Sequence, residues 1–362
     1  MRILFVSYDS YKYDGRVREL IKTAKELGEV TYITRQEEGE EPQEKAHILY
    51  PDHGYSNFLL FCCGLARSIG SMDMIFIDNR KGILPGYLLK KLTGAKYVVQ
   101  DCRELYDMKS AAGIPGRIGC IVEKIFTRHS DVVIAANAFR AQIMVKMFGL
   151  KKVPLNYENV RRLSYTGEES RQRVEAECRE FFREKKFRIV STAGCDMSRT
   201  TGKMLEAMKE LGDDYELLLI GENEEEDEII VRQTIQSLEL TNVKILPRMD
   251  QDHLKYFIGN SQAGMVTYHQ RDLNNKYCAS GKIFEFLYEG KPVVTSTNPP
   301  LKEFCEKYKV GLADDDYGRA IQKIAERYGS WQSNVQKFTE NVHVEKNNHR
   351  LAVKIQKELE ER

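Results

Sequence analysis

Short apolar runs alternate with helix-period patterns through the first half of the chain. Their order is RILFV, a helix over about 14–27, EVTYIT, a helix near 55–69, DMIFID, a helix near 81–92, KYVVQ, a helix near 115–128, and DVVIAA. Apolar runs separated by amphipathic helices predict parallel β-α-β units, because strands covered on both faces have no polar side to show. After VPLNYENV the pattern lapses into RRLSYTGEESRQRVEAECREFFREKK, which is charged and lacks a strong apolar face. Residues 166–186 are therefore expected to connect two domains. A second series follows: FRIVST, helix, YELLLIG, helix, NVKIL, helix, AGMVTY, helix, PVVTST and further helices. The expected fold class is α/β, two doubly wound domains facing a cleft, with ligands at the carboxyl ends of the strands. The first domain is placed at 1–165 and the second at 187–345, with residues 346–362 a last helix packing back on the first. A chain of 362 residues is long enough for two cores.

The stretch YCASGKIFEFLYEGKPVV, 277–294, carries the most pointed chemistry. Ile283, Phe284, Phe286, Leu287 and Tyr288 cover most of a helix circumference, which suits an element packed on several sides. Ser280 is expected to cap this helix, with Gly281 and Lys282 its first residues, and Gly290 with Pro292 to end it before a buried strand. A lysine in the first turn opposes the helix dipole by about 0.3–1 kcal/mol unless an anion is bound there. Free N–H groups, Gly281 and Lys282 together fit a phosphate. Glu285 lies on the same face and fits hydroxyls beside that phosphate. An ion pair between Lys282 and Glu285 on the solvent side explains the same residues equally well.

Composition narrows the partners. Fifty-five basic residues against 54 acidic ones leave a net charge of +1, so no global field attracts nucleic acid. The start MRILFVSYDS reads as a strand rather than a signal peptide, and no apolar run is long enough to span a membrane. Eight scattered cysteines without Cys-x-x-Cys spacing fit reduced thiols and a cytoplasmic location. The seven histidines form no ligand group, so neither a metal nor a cofactor is expected. The Asp-x-Asp spacings at 250/252 and 314/316 precede helical patterns and are read as caps, and the acidic run 224–228 as a helix opening. YSNFLLFCCGLARSIG and KGILPGYLLKKLTGAK join apolar faces to Arg67, Lys81, Lys90 and Lys91. Peripheral contact with the inner face of a membrane is one expectation for them, and packing onto the sheet is the other.

In the first domain, SYDSYKYDGRVREL has Gly15 as its sole glycine, which argues against a dinucleotide loop. Asp14, Arg16 and Arg18 stand at a loop-to-helix junction, where a capping aspartate followed by exposed arginines is an equal reading. QDCRELY puts Asp101, Arg103 and Glu104 just past a strand's carboxyl end, where ligands are met.

Taken in order, these segments resemble the retaining glycosyltransferases of the GT-B fold, glycosyltransferase family 4 in particular. RIVSTAG with TTGKMLEAMKEL, YELLLIGENEE, NVKILPRMDQDHLKYFIGNSQAGMVTY and above all NNKYCASGKIFEFLYEGKPVVTST are similar to the nucleotide-sugar-binding Rossmann-like domain. YDGRVRELIKTAKELGEVTYIT, QDCRELY and SDVVIAANAFRAQIM are similar to the acceptor domain. The resemblance implies transfer, with retention, of a sugar from a nucleoside diphosphate sugar to a carbohydrate or lipid-linked acceptor, as in cell-surface polysaccharide or glycan synthesis, without a metal. It places the donor at Gly194, Arg199, Gly221, Asn275, Tyr277, Ser280, Gly281, Lys282 and Glu285. Asp14, Arg16 and Asp101 fall on the acceptor side. Glu104 is the acid-base candidate, and Arg103 an anion- or hydroxyl-binding one. Of two family glutamates eight positions apart, Glu285 matches the one that contacts ribose, whereas Tyr277 replaces the one that touches the sugar. Asp272, Asn274 and Asn275 are candidate substitutes for that contact. Cys195 and Thr201 replace the usual pyrophosphate-binding arginine and lysine, so Lys282 with Arg199 is expected to stand in for them beside Gly194. These departures keep a non-catalytic nucleotide-sugar-binding subunit as an alternative. A sugar-nucleotide epimerase, whose usual carboxylates have no match, ranks below it.

Overall fold

Mostly apolar strands covered on both faces build one open parallel sheet in each half of the chain. The computed structural model describes residues 1–51 and 54–362. The first unit comprises Met1–Arg161 and Val344–Arg362, the second Arg162–His343.

In the first unit the strands are β1 (Arg2–Ser10), β2 (Glu29–Arg35), β3 (His47–Tyr50), β4 (Met74–Asp78), β5 (Tyr97–Cys102), β6 (Val132–Ala135) and β7 (Leu155–Asn156). They lie in the order β3-β2-β1-β4-β5-β6-β7, every pair parallel. The helices are α1 (Gly15–Leu27), α2 (Tyr55–Ile69), α3 (Ile83–Thr93), α4 (Gly113–Thr127) and α5 (Ala138–Phe148). The second unit holds α6 (Glu168–Cys178), β8 (Phe187–Ser191), α7 (Thr201–Leu211), β9 (Tyr215–Ile220), α8 (Glu225–Ser237), β10 (Val243–Leu246), α9 (Gln251–Gly259) and β11 (Ala263–Val266). It continues through α10 (Leu273–Lys276), α11 (Lys282–Tyr288), β12 (Val293–Thr295), α12 (Pro299–Tyr308), β13 (Gly311–Ala313), α13 (Tyr317–Glu326) and α14 (Tyr328–Asn341). Its sheet has the order β10-β9-β8-β11-β12-β13, again all parallel. A last helix, α15 (Val344–Glu360), sets Leu351, Ile355 and Leu359 into the first unit's core with Val17, Leu20 and Ile21 of α1.

Strand order reverses between β1 and β4 in one sheet and between β8 and β11 in the other. Open α/β sheets take their ligands outside the carboxyl ends of the strands at such a switch point.

Residues 166–186 carry α6 and a 3-10 turn, Arg179–Phe182, within the second unit. The rings of Phe181 and Phe182 lie 5.0 and 5.1 Å from that of Phe257 on α9. The helix of the 277–294 stretch is shorter than the sequence predicts. Gly281 is itself helical (φ −71°, ψ −20°) and occupies the N-cap, one residue later than expected. Ser280 is thereby left outside the helix and does not cap it, and its buried Oγ has no hydrogen-bond partner.

The apolar faces of α2 and α3 pack inward, with Phe58, Cys62, Ile83 and Leu89 in one core with β1 and β4 residues. Asp250 and Asp316 accept from the backbone N–H groups of His253 (2.9 Å) and Arg319 (3.0 Å) as helix caps. The acidic run 224–228 occupies the N-cap and first turn of α8.

Candidate functional site

In the second unit the chain leaves β8 at Ser191 and turns through Thr192 and Gly194. Gly194 has φ +62°, and a Cβ there would meet Asn223 Oδ1 at 2.4 Å and the Gly221 Cα at 3.2 Å. A Cβ on Gly221 would come within 2.8 Å of the Gly194 nitrogen. The turns after β8 and β9 thus pass backbone against backbone, which side chains would forbid. Asn223 fastens the arrangement, accepting from Cys195 N (2.8 Å) and donating to Glu228 (3.0 Å).

Neither Cys195 nor Thr201 offers charge here. Cys195 is fully buried, and burial pushes its thiol up to about 11. The Thr201 hydroxyl donates to the Asp196 carbonyl at 2.7 Å. A cation does stand close by: Lys282 Nζ, from the start of α11, donates to the Thr192 carbonyl. This bond sets the ammonium at the carboxyl end of β8, next to the glycine turn. The two segments it joins also hold the unpartnered buried hydroxyls of Thr192 and Ser280. Glu285, one turn further along α11, is buried.

Arg199 belongs to a neighbouring group of contacts. Its Nε lies 3.2 Å from the Asp196 carboxylate, its guanidinium 4.1 Å from the Tyr268 ring centre, and Nη1 donates to Asn275 Oδ1 at 3.4 Å. Asp272 fixes Asn275 by accepting from its backbone and side-chain nitrogens, both at 2.8 Å. Tyr277 follows α10 directly, as its C-cap.

In the first unit Asp14 caps α1, accepting from the N–H groups of Arg16 (2.8 Å) and Val17 (3.1 Å). Arg16 is not an exposed arginine. It turns inward and meets the fully buried Asp101 with two parallel bonds, 2.8 and 2.6 Å, and donates to the Tyr157 carbonyl at 3.0 Å. The Arg103 guanidinium bonds the carboxylates of Asp14 and Asp78, with Asp9 at 3.6 Å and Asp101 at 3.9 Å. Asp78 also accepts from Ser7 Oγ at 2.6 Å.

Asp9 and Asp78 escape a reading of the sequence alone. The available signal is that DMIFID and KYVVQD both end in aspartate, and parallel pairing sets Asp78 beside Asp101. Burial pushes the Asp78 carboxyl up against the pull of Arg103, and its three carboxylate neighbours add to the rise. Burial works the same way on Asp14, but there Arg103 and the Val17 N–H prevail and hold it below its ordinary value. With its guanidinium committed to carboxylates, Arg103 offers little to an incoming anion. Asp9 and Asp14 are both part-exposed, but the two oxygens of Asp14 already accept, one from the Arg16 and Val17 N–H groups and the other from Arg103.

Glu104 stands in a different group, with Tyr106, Arg80 and Glu123. Burial and then Glu104 push the Tyr106 phenol up to about 12. Arg80 stacks 4.3 Å from the Tyr106 ring centre and approaches Glu123 at 3.2 Å. Burial carries the Glu123 carboxyl up to about 7, with Arg80 opposing and Glu104 adding. A carboxyl whose pKa rises on folding contributes stability that is complete below its unfolded value, about 4.3, and lost as pH rises through the folded one. Urea unfolding should therefore show wild type losing stability between pH 5 and pH 8, and Glu123→Gln lacking roughly 1–3 kcal/mol of that loss. Identical pH slopes in the two proteins would contradict this assignment.

Among the described residues no group of three His, Cys, Asp or Glu side chains is placed to hold a metal ion. No protein-family model and no curated protein sequence matches the chain. Solved structures do. HepE of Anabaena, in complex with UDP and glucose, superposes with a TM-score of 0.76 over 99% of this chain and 100% of that one, at 13% identity. Sucrose-phosphate synthase of Thermosynechococcus elongatus gives 0.73 over 100% of both chains at 15% identity. A glycosyltransferase of Rickettsia africae gives 0.72 over 99% and 98% at 16% identity. The chain has the GT-B fold of such glycosyltransferases, with parallel sheets of seven and six strands.

Proposed function

We propose that this chain transfers a sugar, with retention, from a nucleoside diphosphate sugar to a carbohydrate or lipid-linked acceptor in the cytoplasm, in synthesis of a cell-surface polysaccharide or glycan. The observation that carries the reading is the Lys282 ammonium, fixed on the Thr192 carbonyl beside the Gly194–Gly221 approach at the switch point of the second sheet. In this reading Lys282 neutralises the diphosphate, Gly194 and Gly221 let it approach the backbone, and Glu285 accepts from the ribose hydroxyls. Arg199, Asn275, Tyr277, Ser280 and Gly281 complete the donor side. Negative charge grows on the leaving diphosphate as its bond to the anomeric carbon breaks. A fixed ammonium stabilises that charge without reorganising. HepE, which shares the fold, was crystallised with UDP-glucose.

The part-exposed Asp9 suits a hydroxyl donor, so in this reading the acceptor meets the first unit through neutral hydroxyls rather than through a phosphate, with Asp14 beside it. Arg16 and Asp101 position this group, Arg103 ties its carboxylates together, and Glu104 is the proposed acid-base residue.

The test is release of nucleoside diphosphate from a panel of nucleotide sugars, with and without acceptor sugars, followed by NMR of the product. The expected product is a glycoside with the donor's anomeric configuration, formed equally well in EDTA. Turnover abolished by EDTA and restored by manganese or magnesium would overturn the metal-independent assignment. Binding without turnover would indicate a non-catalytic subunit, and a C2-epimerised sugar an epimerase.

A further inference from the structure

Asn79 follows β4 with φ +58° and ψ 175°, a conformation that suits glycine and strains any other residue. Three contacts hold it there. Its N–H donates to the Asp101 carbonyl at 3.0 Å, its Oδ1 accepts from Arg80 N at 2.8 Å, and its Nδ2 donates to Asp9 at 3.3 Å. The next residue, Arg80, opens a short 3-10 turn and runs across α4 at Gly119. A Cβ on Gly119 would meet Arg80 Cδ at 3.1 Å and Nη1 at 3.2 Å, so a side chain there would crowd the guanidinium. One turn further along α4, Glu123 stands 3.2 Å from Arg80 Nε, yet the two groups are out of line. Nε and Nη2 of Arg80 and Oε2 of Glu123 are buried without a hydrogen bond. An arginine placed for its carboxylate meets it edge-on with two parallel bonds, as Arg16 meets Asp101. Arg80 instead lays its guanidinium 4.3 Å from the centre of the Tyr106 ring.

Tyr106 lies in the stretch between β5 and α4, residues 103–112. At its start Arg140 of α5 donates to the Arg103 carbonyl. Beyond Tyr106 the chain turns outward, and Met108, Lys109 and Ser110 are exposed. Glu104 stands between the two points that arginines hold, and the Tyr106 phenol feels its carboxylate directly. We propose that Arg80 is a positioning residue for sugar transfer, clamping Tyr106 so that the stretch after β5 presents Glu104 to the acceptor. The part given to Glu104 rests on the transfer reading, whereas the clamp itself does not. An ion pair between Arg80 and Glu123 that served α4 alone would need a cation but not a flat one.

Arg80→Lys separates the two, because lysine keeps a cation for Glu123 and loses the planar group that lies on the ring. Hydrogen exchange of the full chain, followed by mass spectrometry, should quicken at least about tenfold across residues 103–112 in Arg80→Lys and in Tyr106→Leu, while the strands keep wild-type protection. With the nucleotide sugar that the wild type turns over, each variant should lower kcat about tenfold or more and leave the donor KM unchanged. The double variant should lose no more than the worse single one, since both changes release the same contact. Wild-type exchange in Arg80→Lys, a wild-type kcat in either variant, or losses that multiply in the double variant would each overturn the clamp as a positioning device. A wild-type kcat in Glu104→Gln would instead overturn the acid-base role of Glu104, and the exchange rates would still decide whether Arg80 holds Tyr106.

Discussion

Asp101→Ala should destabilise the first unit by about 3–5 kcal/mol, the range for removing one partner of a buried ion pair. Both parallel bonds from Arg16 end on this carboxylate, and both side chains are buried. Truncation leaves a guanidinium that water does not reach and that still donates to the Tyr157 carbonyl. Arg103 also loses the nearby carboxylate at 3.9 Å. A domain's whole stability is about 5–15 kcal/mol, so the variant should unfold at markedly lower urea concentration. Replacing both partners, as in Arg16→Leu with Asp101→Leu, should recover part of the loss, because no unpaired charge is then buried. A cost below about 1 kcal/mol for Asp101→Ala, the level of an exposed pair, would contradict the buried-pair account.

The fold was legible wherever burial leaves a local trace. β4 is buried along its whole length, and its apolar run shows in the sequence. The start of α1 was readable from Asp14, which does cap it. β3, β7 and β13 were not readable: HILY, LN and GLA are too short for a period and, unlike the equally short β6 and β12, lack a run of β-branched residues. Ser280 misled because serine is a good cap in general, while the helical conformation of Gly281 moves the helix start one residue along.

Within the candidate site, Lys282 stood out as a cation in a helix start that was otherwise apolar. Nothing local separates Arg16 from Arg18, yet one is buried against Asp101 and the other reaches the carbonyls of Tyr11 and Lys12. Asp9, Asp14, Asp78 and Asp101 come from separate strand ends and turns. Only the parallel pairing gathers them around Arg103.

Lys282→Ala should weaken nucleoside diphosphate binding by about 1.5–3 kcal/mol, the range for a hydrogen bond to a charged group. Its effect on the unliganded protein should stay within about 1 kcal/mol, because losing the bond to the Thr192 carbonyl is offset by removing a charge that opposes the helix dipole. Glu285→Gln keeps the size of a buried side chain while removing its charge. It should weaken nucleotide binding and leave free pyrophosphate nearly unaffected, since its proposed partners are ribose hydroxyls. An ion pair between the two residues with no ligand role predicts a small loss of stability in both variants and no selective change in affinity.

Calorimetric titration of wild type, Lys282→Ala and Glu285→Gln with nucleoside diphosphate and with pyrophosphate is the most direct test of the donor site. The account predicts that Lys282→Ala loses affinity for both ligands and Glu285→Gln for the nucleotide alone. Unchanged nucleoside diphosphate affinity in Lys282→Ala would contradict it.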